Sequence, residues 1–217
     1  DALPICESKQ ARILLSGEPG TGKSKYGEHL SELLDQPLII KRGSDLRSAY
    51  VGETEQNIAK AFREATDSKS ILMIDEFNGF SRSRELANRS WEANETTEVL
   101  VQLEQFEGVF IGTTNRKDDI DSAMFRRFDL HVELTHLTEQ QVTELLYETC
   151  DLLEIESPRD QLHRIAKLTK VAPGDINAIL RRSSFDPITT PHRLLELLEE
   201  DIKYKSRDES KFRGFRN

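Results

Sequence analysis

One short stretch, GEPGTGKS at residues 17–24, constrains the fold more than any other part of this sequence. The apolar run RILLS at residues 12–16 precedes it and is typical of a strand, whereas residues 23–34 have a helical pattern. Glycines at these spacings let backbone N–H groups curl around a phosphate, and the N-terminus of the following helix adds partial positive charge. The sequence therefore predicts a strand, a phosphate-binding loop and a helix in direct succession.

The side chains of this loop predict a nucleotide site that includes a metal ion. Lys23 can reach the β- and γ-phosphate oxygens, and the hydroxyl group of Ser24 can ligate Mg²⁺. The residues predicted to bind the nucleotide here are Gly17, Glu18, Pro19, Gly20, Thr21, Gly22, Lys23, Ser24 and Lys25.

Strand and helix patterns alternate through the first two thirds of the chain. Three of the strand candidates are nearly continuous apolar runs, as expected of strands covered on both faces of a parallel sheet. This alternation predicts an α/β sandwich with helices on both faces of the sheet. Beyond the first strand, the strand candidates are residues 38–41, 71–75, 109–113 and 130–134, and the helices between them are residues 54–66 and 91–107, the last followed by Gly108.

The strand signal disappears after residue 136, where a helical region is predicted. Thr138 and Gln141 have the spacing of a capping box, and Ser157–Pro158 is a second helix start. Further helices are predicted at residues 173–182 and 191–205. We therefore expect an α/β domain at 1–136, a helical domain at 137–205 and a charged tail at 206–217. Because the chain opens on Asp1, we also expect that an N-terminal region, one that selects substrates, precedes it.

Charge and composition indicate which classes of partner and which location to expect. The net charge of −9 over 217 residues argues against a broad surface for nucleic acid or anionic membranes, although a local basic patch stays possible. Cys6 and Cys150 lie far apart and do not form a metal-binding spacing, which favours reduced thiols and a cytoplasmic location. No apolar run reaches the length of a membrane span.

Two acids follow an apolar run in ILMIDE, residues 71–76. Ligands bind at the carboxyl ends of the strands in open α/β sheets. Asp75 would hold Mg²⁺ directly or through water, and Glu76 would polarise a water molecule for attack on the γ-phosphate. The alternative is a solvated strand end, because acids commonly follow buried strands.

Two further segments carry polar groups that each have a catalytic and a structural interpretation. Asn115 ends IGTTN and could orient the attacking water, but Thr-Thr-Asn at a strand end is also common in turns and helix caps. Arg126 and Arg127, between two phenylalanines, suit the charge of a transferring phosphoryl group. The alternative, which the pattern alone favours, is that they form surface ion pairs with acids such as Asp129.

The order of GEPGTGKS, ILMIDE, GTTNRKDDID and FRRFD resembles the AAA family of ATPases, in particular its protein-remodelling clade, over residues 11–182. RSWEANETTEVLVQLEQFEGVFIGTTN is also similar to a group of bacterial AAA proteins of poorly defined role. The resemblance implies ATP and Mg²⁺ as cofactors and a P-loop NTPase sandwich with five parallel strands in the order 5-1-4-3-2. It further implies a small all-α lid and a homo-hexameric ring with ATP at the subunit interfaces.

The resemblance also implies roles for single residues. Arg126 and Arg127 match arginine fingers that act on the γ-phosphate of a neighbouring subunit, which reverses the preference for surface ion pairs. Asn115 matches the sensor that positions the lytic water, and Arg116 matches an interface position. Gly174, in VAPGDINAILRR, matches a lid glycine that lets the backbone approach the adenine.

RSAYVGETE, residues 47–55, matches the first pore loop of the remodelling clade. Tyr50, Val51 and Gly52 would then line a central channel, where aromatic rings grip a polypeptide without regard to its sequence. The alternative is that Tyr50 packs against its own domain.

The expected function is therefore ATP-driven remodelling or unfolding of a polypeptide or a protein complex. The alternatives are a DNA-associated loader or initiator, for which basic loops would be expected, and an ATP-dependent regulatory assembly switch.

Overall fold

A computed structural model of the protein describes residues 10–50, 52–80, 90–116 and 120–213. Five strands form one sheet in the order β2-β3-β4-β1-β5, and every paired strand is parallel to its neighbour. This is the predicted order, and each predicted strand is correct to within one residue at either end. The strands are β1 (Ala11–Gly17), β2 (Leu38–Arg42), β3 (Ile71–Asp75), β4 (Val109–Thr114) and β5 (Leu130–Leu134).

Helices connect the strands and make up most of the chain beyond the sheet. In chain order they are α1 (Lys23–Leu34), α2 (Gly43–Leu46), α3 (Glu53–Asp67), α4 (Ser90–Gln105), α5 (Ser122–Phe125), α6 (Glu139–Leu152), α7 (Leu162–Ile165), α8 (Pro173–Ser183) and α9 (Pro191–Arg213). Two 3-10 turns, Phe77–Phe80 and Arg159–Gln161, add to these.

Three helix ends differ from the prediction. The helix expected to reach residue 107 ends at Gln105, since Phe106 turns into the core next to Gly108. The helix expected after Pro158 consists only of a 3-10 turn and the single-turn helix α7. The last helix continues past residue 205 to Arg213, so the backbone of most of the predicted tail is helical.

The central strands are buried on both faces. Leu14, Leu72 and Phe110 point to the side covered by α3 and α4, where phenylalanine rings pack edge-to-face and stacked. Ile13 and Met73 point to the other side, which α1 covers. The sheet is therefore the middle layer of three. Because all of its strands are parallel, their carboxyl ends lie at one edge.

The chain divides into two compact units, the first containing Asp1–Glu18 and Lys23–Leu134 and the second containing Pro19–Gly22 and Thr135–Asn217. The second unit has its own apolar core, built on α6, α8 and α9. Its first helix begins as predicted, because Thr138 and Gln141 form a reciprocal capping box. The domain limits drawn from the sequence stay a prediction. Among the described residues, no helix is long and apolar enough to cross a membrane.

Candidate nucleotide site

The sheet brings the predicted nucleotide-site segments of the first unit to one edge. Strand β4 lies between β1 and β3, with Ser16 paired to Thr114 and Ile74 paired to Gly112. Since all three strands are parallel, the loop after β1, the acids after β3 and the polar end of β4 follow neighbouring carboxyl ends. Ligands in open α/β sheets bind at this edge.

The loop after β1 has the backbone geometry that an anion-binding turn needs. Gly20 and Gly22 have φ angles of 84° and 100°, a left-handed region that a residue with a Cβ atom rarely adopts. The Lys23 ammonium group donates to the carbonyl oxygens of Gly17, at 2.8 Å, and Glu18, at 3.0 Å. A cation thus lies against the loop at the first residue of α1, where a polyphosphate would bind.

The surroundings of Lys23 shift the pKa of its ammonium group. The side chain is buried, with 8% of the residue exposed. Burial lowers the pKa of the ammonium group from its ordinary value, and the Asp75 carboxylate acts in the opposite direction. Lys23 and Asp75 are therefore electrostatic neighbours, as a phosphate loop and a metal-binding acid should be.

The two loop residues after Lys23 are exposed at the start of α1. Ser24 is on the first turn, where its hydroxyl group is available to a metal ion. The Lys25 ammonium group pairs with Glu28, which raises its pKa through the hydrogen bond and the opposite charge. The nucleotide contact predicted at Lys25 stays a prediction.

Gly174 lies against the phosphate loop within the second unit. Its N–H donates to the carbonyl oxygen of Gly20 at 2.9 Å, and a Cβ atom at position 174 would lie 2.8 Å from the Gly20 Cα. The turn that carries Gly174 is held by Asp175, which accepts from the Ala172 N–H at 3.0 Å and pairs with Lys205. A glycine is required at this position because the two backbones touch.

Asp75 and Glu76 are both hydrogen-bonded to the hydroxyl group of Thr113 on β4. Thr113 donates to Asp75 Oδ1, and the Glu76 N–H is 3.2 Å from the same oxygen. Both donors use Oδ1, and a carboxylate has a second oxygen to offer a cation. Glu76 has a φ angle of 58°, unusual for a residue other than glycine, and it is exposed at the sheet edge. Sequence reasoning missed Thr113, because nothing in GTTN distinguishes it from a turn residue.

Asn115 is exposed directly after β4. The turn is closed by Thr114, whose hydroxyl group accepts from the Arg116 N–H at 3.0 Å and donates to the Arg116 carbonyl oxygen at 2.9 Å. Thr114 therefore makes the turn that the pattern suggested, and Asn115 is presented at the same edge as Glu76.

Arg126 and Arg127 lie near the opposite, amino-terminal edge of the sheet. Both are exposed, and Arg127 pairs with Glu104 at 2.6 Å. Asp129, the acid considered from the sequence, instead accepts from the Arg12 N–H at 2.8 Å. The segment is anchored on its apolar sides, with Phe128 in the core and the Phe125 ring stacked on His131.

Their position prevents these arginines from serving the phosphate loop of their own chain. Arg12, which bonds to Asp129, is five residues before Gly17 on β1. At about 3.3 Å per residue, roughly 17 Å of strand separates the two ends. An arginine side chain cannot bridge that length.

Tyr50 lies in an ordered, polar turn. The residue is 74% exposed, and its N–H donates to the hydroxyl group of Ser48 at 3.2 Å. Ser48 in turn donates to Glu53, which opens α3. Gly52 precedes that helix with a φ angle of 86°, whereas Val51 is outside the described residues.

The Tyr50 turn is connected to the segment that follows the acids. Arg47 donates to the carbonyl oxygen of Gly79 and lies over the ring of Phe80, 5.2 Å from its centroid. At the other end of α2, a Cβ atom on Gly43 would be 2.9 Å from the Glu76 carbonyl oxygen. The exposed tyrosine and the exposed glutamate are therefore carried by segments in direct contact.

Comparison with known proteins identifies relatives of this chain. Residues 13–136 match the model of the ATPase family associated with various cellular activities (AAA). The chain is 29% identical over 217 residues to the uncharacterized protein ORF529 of Acidianus two-tailed virus, with 89% of this chain and 41% of that protein covered. It is also 29% identical over 198 residues to the cell division cycle protein 48 homolog of Archaeoglobus fulgidus, covering 88% of this chain and 27% of the relative.

A third relative is the nuclear valosin-containing protein-like protein of Mus musculus, 29% identical over 178 residues, with 77% of this chain and 20% of the relative covered. The chain thus spans less than half the length of each of these relatives. The family match covers more than half of the chain, and it includes the loop, both acids, Asn115 and the two arginines. On this basis the chain belongs to the AAA family of ATPases.

Proposed function

We propose that this protein hydrolyses ATP to remodel or unfold polypeptides, drawing them through the pore of a homo-hexameric ring. The observation that carries the proposal is the exposed Tyr50, on a hydrogen-bonded turn next to Arg47, which contacts the segment after Glu76. A residue this exposed adds little to the core of its own domain, and an aromatic ring can grip a chain of any sequence.

The nucleotide site divides its work among the residues at the sheet edge. Backbone N–H groups of the loop and the Lys23 ammonium group would bind the phosphates, and Gly174 would let its backbone approach the adenine. Ser24 and Asp75 would hold Mg²⁺, which when bound neutralises charge on the β- and γ-phosphate oxygens.

Hydrolysis needs a base and an oriented water molecule. In the proposed step Glu76 accepts a proton from water as the water oxygen attacks the γ-phosphorus, and the bond to the β–γ bridging oxygen breaks. Asn115 orients the same water through its amide group. The exposed positions of both side chains at one edge support this division of roles.

Arg126 and Arg127 would act in trans. Because their segment lies at the amino-terminal edge, they are too far from their own phosphate loop, and Arg127 would leave its ion pair with Glu104 to reach a neighbour's site. Arginine stays ionised and offers a planar set of donors to the transferring phosphoryl group. A ring of identical head-to-tail interfaces supplies one such neighbour to every site.

Catalysis in trans can be tested by complementation between two inactive variants. Rings of Arg127→Ala alone or Glu76→Gln alone should be nearly inactive. A random equal mixture should regain activity at roughly a quarter of its interfaces, where an intact Glu76 meets an intact Arg127 from the next subunit. The measurement is steady-state ATP turnover of the mixture against its two parents.

Arg63→Ala, at an exposed arginine on α3, is the matched control and should retain wild-type turnover. Co-purification of a tagged with an untagged variant establishes that mixed rings have formed. Turnover that stays at the sum of the two parents in such rings would contradict catalysis in trans.

Tyr50→Ala tests the grip on a polypeptide. We expect basal ATP turnover within about twofold of wild type, because the exposed ring does not support the nucleotide site. Stimulation of turnover by a permanently unfolded polypeptide, and unfolding of a fluorescent test protein, should both be lost. Tyr50→Phe keeps the ring and should retain both activities.

The result against this role would be a Tyr50→Ala protein that still unfolds the test protein. A large fall in its melting temperature would instead indicate that the ring supports its own domain.

One narrower proposal concerns the clade to which the chain belongs. We propose that the chain belongs to the remodelling clade of the family, which the likeness to the cell division cycle protein 48 homolog supports. Membership of the bacterial subgroup and a cytoplasmic location stay predictions, and the relatives named above come from a virus, an archaeon and a mouse.

A further inference from the structure

Thr113 is a buried polar side chain in direct contact with both strand-end acids. Its relative exposure is 0%, and it is one residue past the last registered pair of β3 and β4, Ile74 with Gly112. Its hydroxyl group donates to Asp75 Oδ1 and accepts from the Glu76 N–H at 3.3 Å. One hydroxyl group therefore meets the side chain of one acid and the backbone of the next.

These two contacts restrict the conformations of the Asp75 side chain and of the Glu76 backbone. The bond to Oδ1 selects one rotamer of Asp75 and leaves the second carboxylate oxygen to face a cation. The bond from the N–H helps hold Glu76 in its left-handed backbone conformation, which is unfavourable for a residue with a Cβ atom. On the other side, Gly43 allows the Glu76 carbonyl oxygen its close approach.

We infer that Thr113 is a positioning residue that orients Asp75 toward Mg²⁺ and holds Glu76 in its working conformation. The inference rests on the proposed roles of Asp75 and Glu76. A group that hydrogen-bonds to a metal ligand fixes its orientation, and loss of such a group commonly lowers metal affinity or activity by about tenfold to a hundredfold.

Two substitutions separate positioning from packing. Thr113→Val keeps the volume and removes the hydroxyl group, whereas Thr113→Ser keeps the hydroxyl group and removes a methyl group. If the hydroxyl group positions the acids, Thr113→Val should impair Mg²⁺ binding and turnover, and Thr113→Ser should retain both. If the side chain only fills space, serine is the harmful change.

The experiment measures Mg²⁺-dependent binding of a fluorescent ADP analogue, together with ATP turnover as a function of Mg²⁺ concentration. For Thr113→Val we expect at least about a tenfold rise in the half-saturating Mg²⁺ concentration and a similar fall in kcat. Nucleotide binding in the presence of EDTA should be unchanged, since Lys23 and the loop are intact. Thr113→Ser should stay within about threefold of wild type in both measurements.

Thr149→Val is the matched control, because Thr149 is also buried and donates only within α6, to the Leu145 carbonyl oxygen at 2.6 Å. It should leave the Mg²⁺ dependence unchanged. Melting temperatures of all variants show whether each is folded.

A folded Thr113→Val protein with wild-type Mg²⁺ dependence would overturn the inference, as would a serine variant impaired as strongly as valine. Failure of the roles proposed for Asp75 and Glu76 is distinguishable, because the wild-type protein would then show no effect of Mg²⁺ on nucleotide binding and no turnover.

Discussion

A Glu76→Gln variant is expected to bind ATP as tightly as the wild-type protein while its turnover falls by at least about a hundredfold. Glutamine has the shape of glutamate but cannot accept a proton from the attacking water. The backbone at position 76 is held by Thr113 and by the approach of Gly43, so the substitution should leave the local structure intact.

Equilibrium binding of ATP and single-turnover hydrolysis, measured on the same preparation, separate affinity from chemistry. Glu107→Gln provides a matched control, since this exposed glutamate precedes the amino end of β4 at the opposite edge. It should hydrolyse ATP at the wild-type rate. If Glu76→Gln also did so, another group would have to activate the water.

The second large effect is expected for Lys23→Ala, which should lower nucleotide affinity by at least about a hundredfold, or ~2.7 kcal/mol. The ammonium group donates to the carbonyl oxygens of Gly17 and Glu18, within the loop proposed to bind the phosphates. Its removal deletes a charge-assisted contact to each phosphate that it reaches, and the remaining N–H groups cannot replace that charge.

Calorimetric titration with ADP and with ATP measures the loss directly. Lys60→Ala, at an exposed lysine on α3, removes the same charge from the surface and should leave both affinities unchanged. Wild-type affinity in a folded Lys23→Ala protein would contradict the assignment of GEPGTGKS as the phosphate loop.

Local sequence patterns were sufficient for the sheet and for the predicted loop. Four of the strands contain short apolar runs and β5 alternates apolar with polar residues, and β1, β3 and β4 are the mostly buried strands. The order of the strands came from the family resemblance, because no periodicity specifies which parallel strands are neighbours. The helix ends were harder, since Phe106 leaves α4 to enter the core and no pattern distinguishes that turn from another helical step.

The contacts between strands could not be read from the sequence. The bond from Thr113 to Asp75 joins residues 38 positions apart and depends on the register of β3 and β4. Arg127 pairs with Glu104 rather than with the adjacent Asp129 for a similar reason, because α4 ends beside the segment before β5. Contacts between residues so far apart in the sequence can be identified only when the fold is known.

The glycine inside α1 also has a structural explanation. Gly27 interrupts α1, where a glycine costs roughly 1 kcal/mol of helix stability relative to alanine. A Cβ atom at this position would lie 2.8 Å from the sulfur atom of Met73 on β3. The Met73 side chain on β3 therefore fills the space that a side chain at position 27 on α1 would need.

The central claim is that ATP hydrolysis here acts on polypeptides, and it can be tested on the full-length wild-type protein. The measurement is the steady-state rate of ATP hydrolysis with a permanently unfolded polypeptide, with double-stranded or single-stranded DNA, and with neither. A chain with a net charge of −9 and an exposed tyrosine turn should be stimulated several-fold by the polypeptide and not by either DNA. Stimulation by DNA without a response to polypeptide would contradict the account and favour a DNA-associated machine.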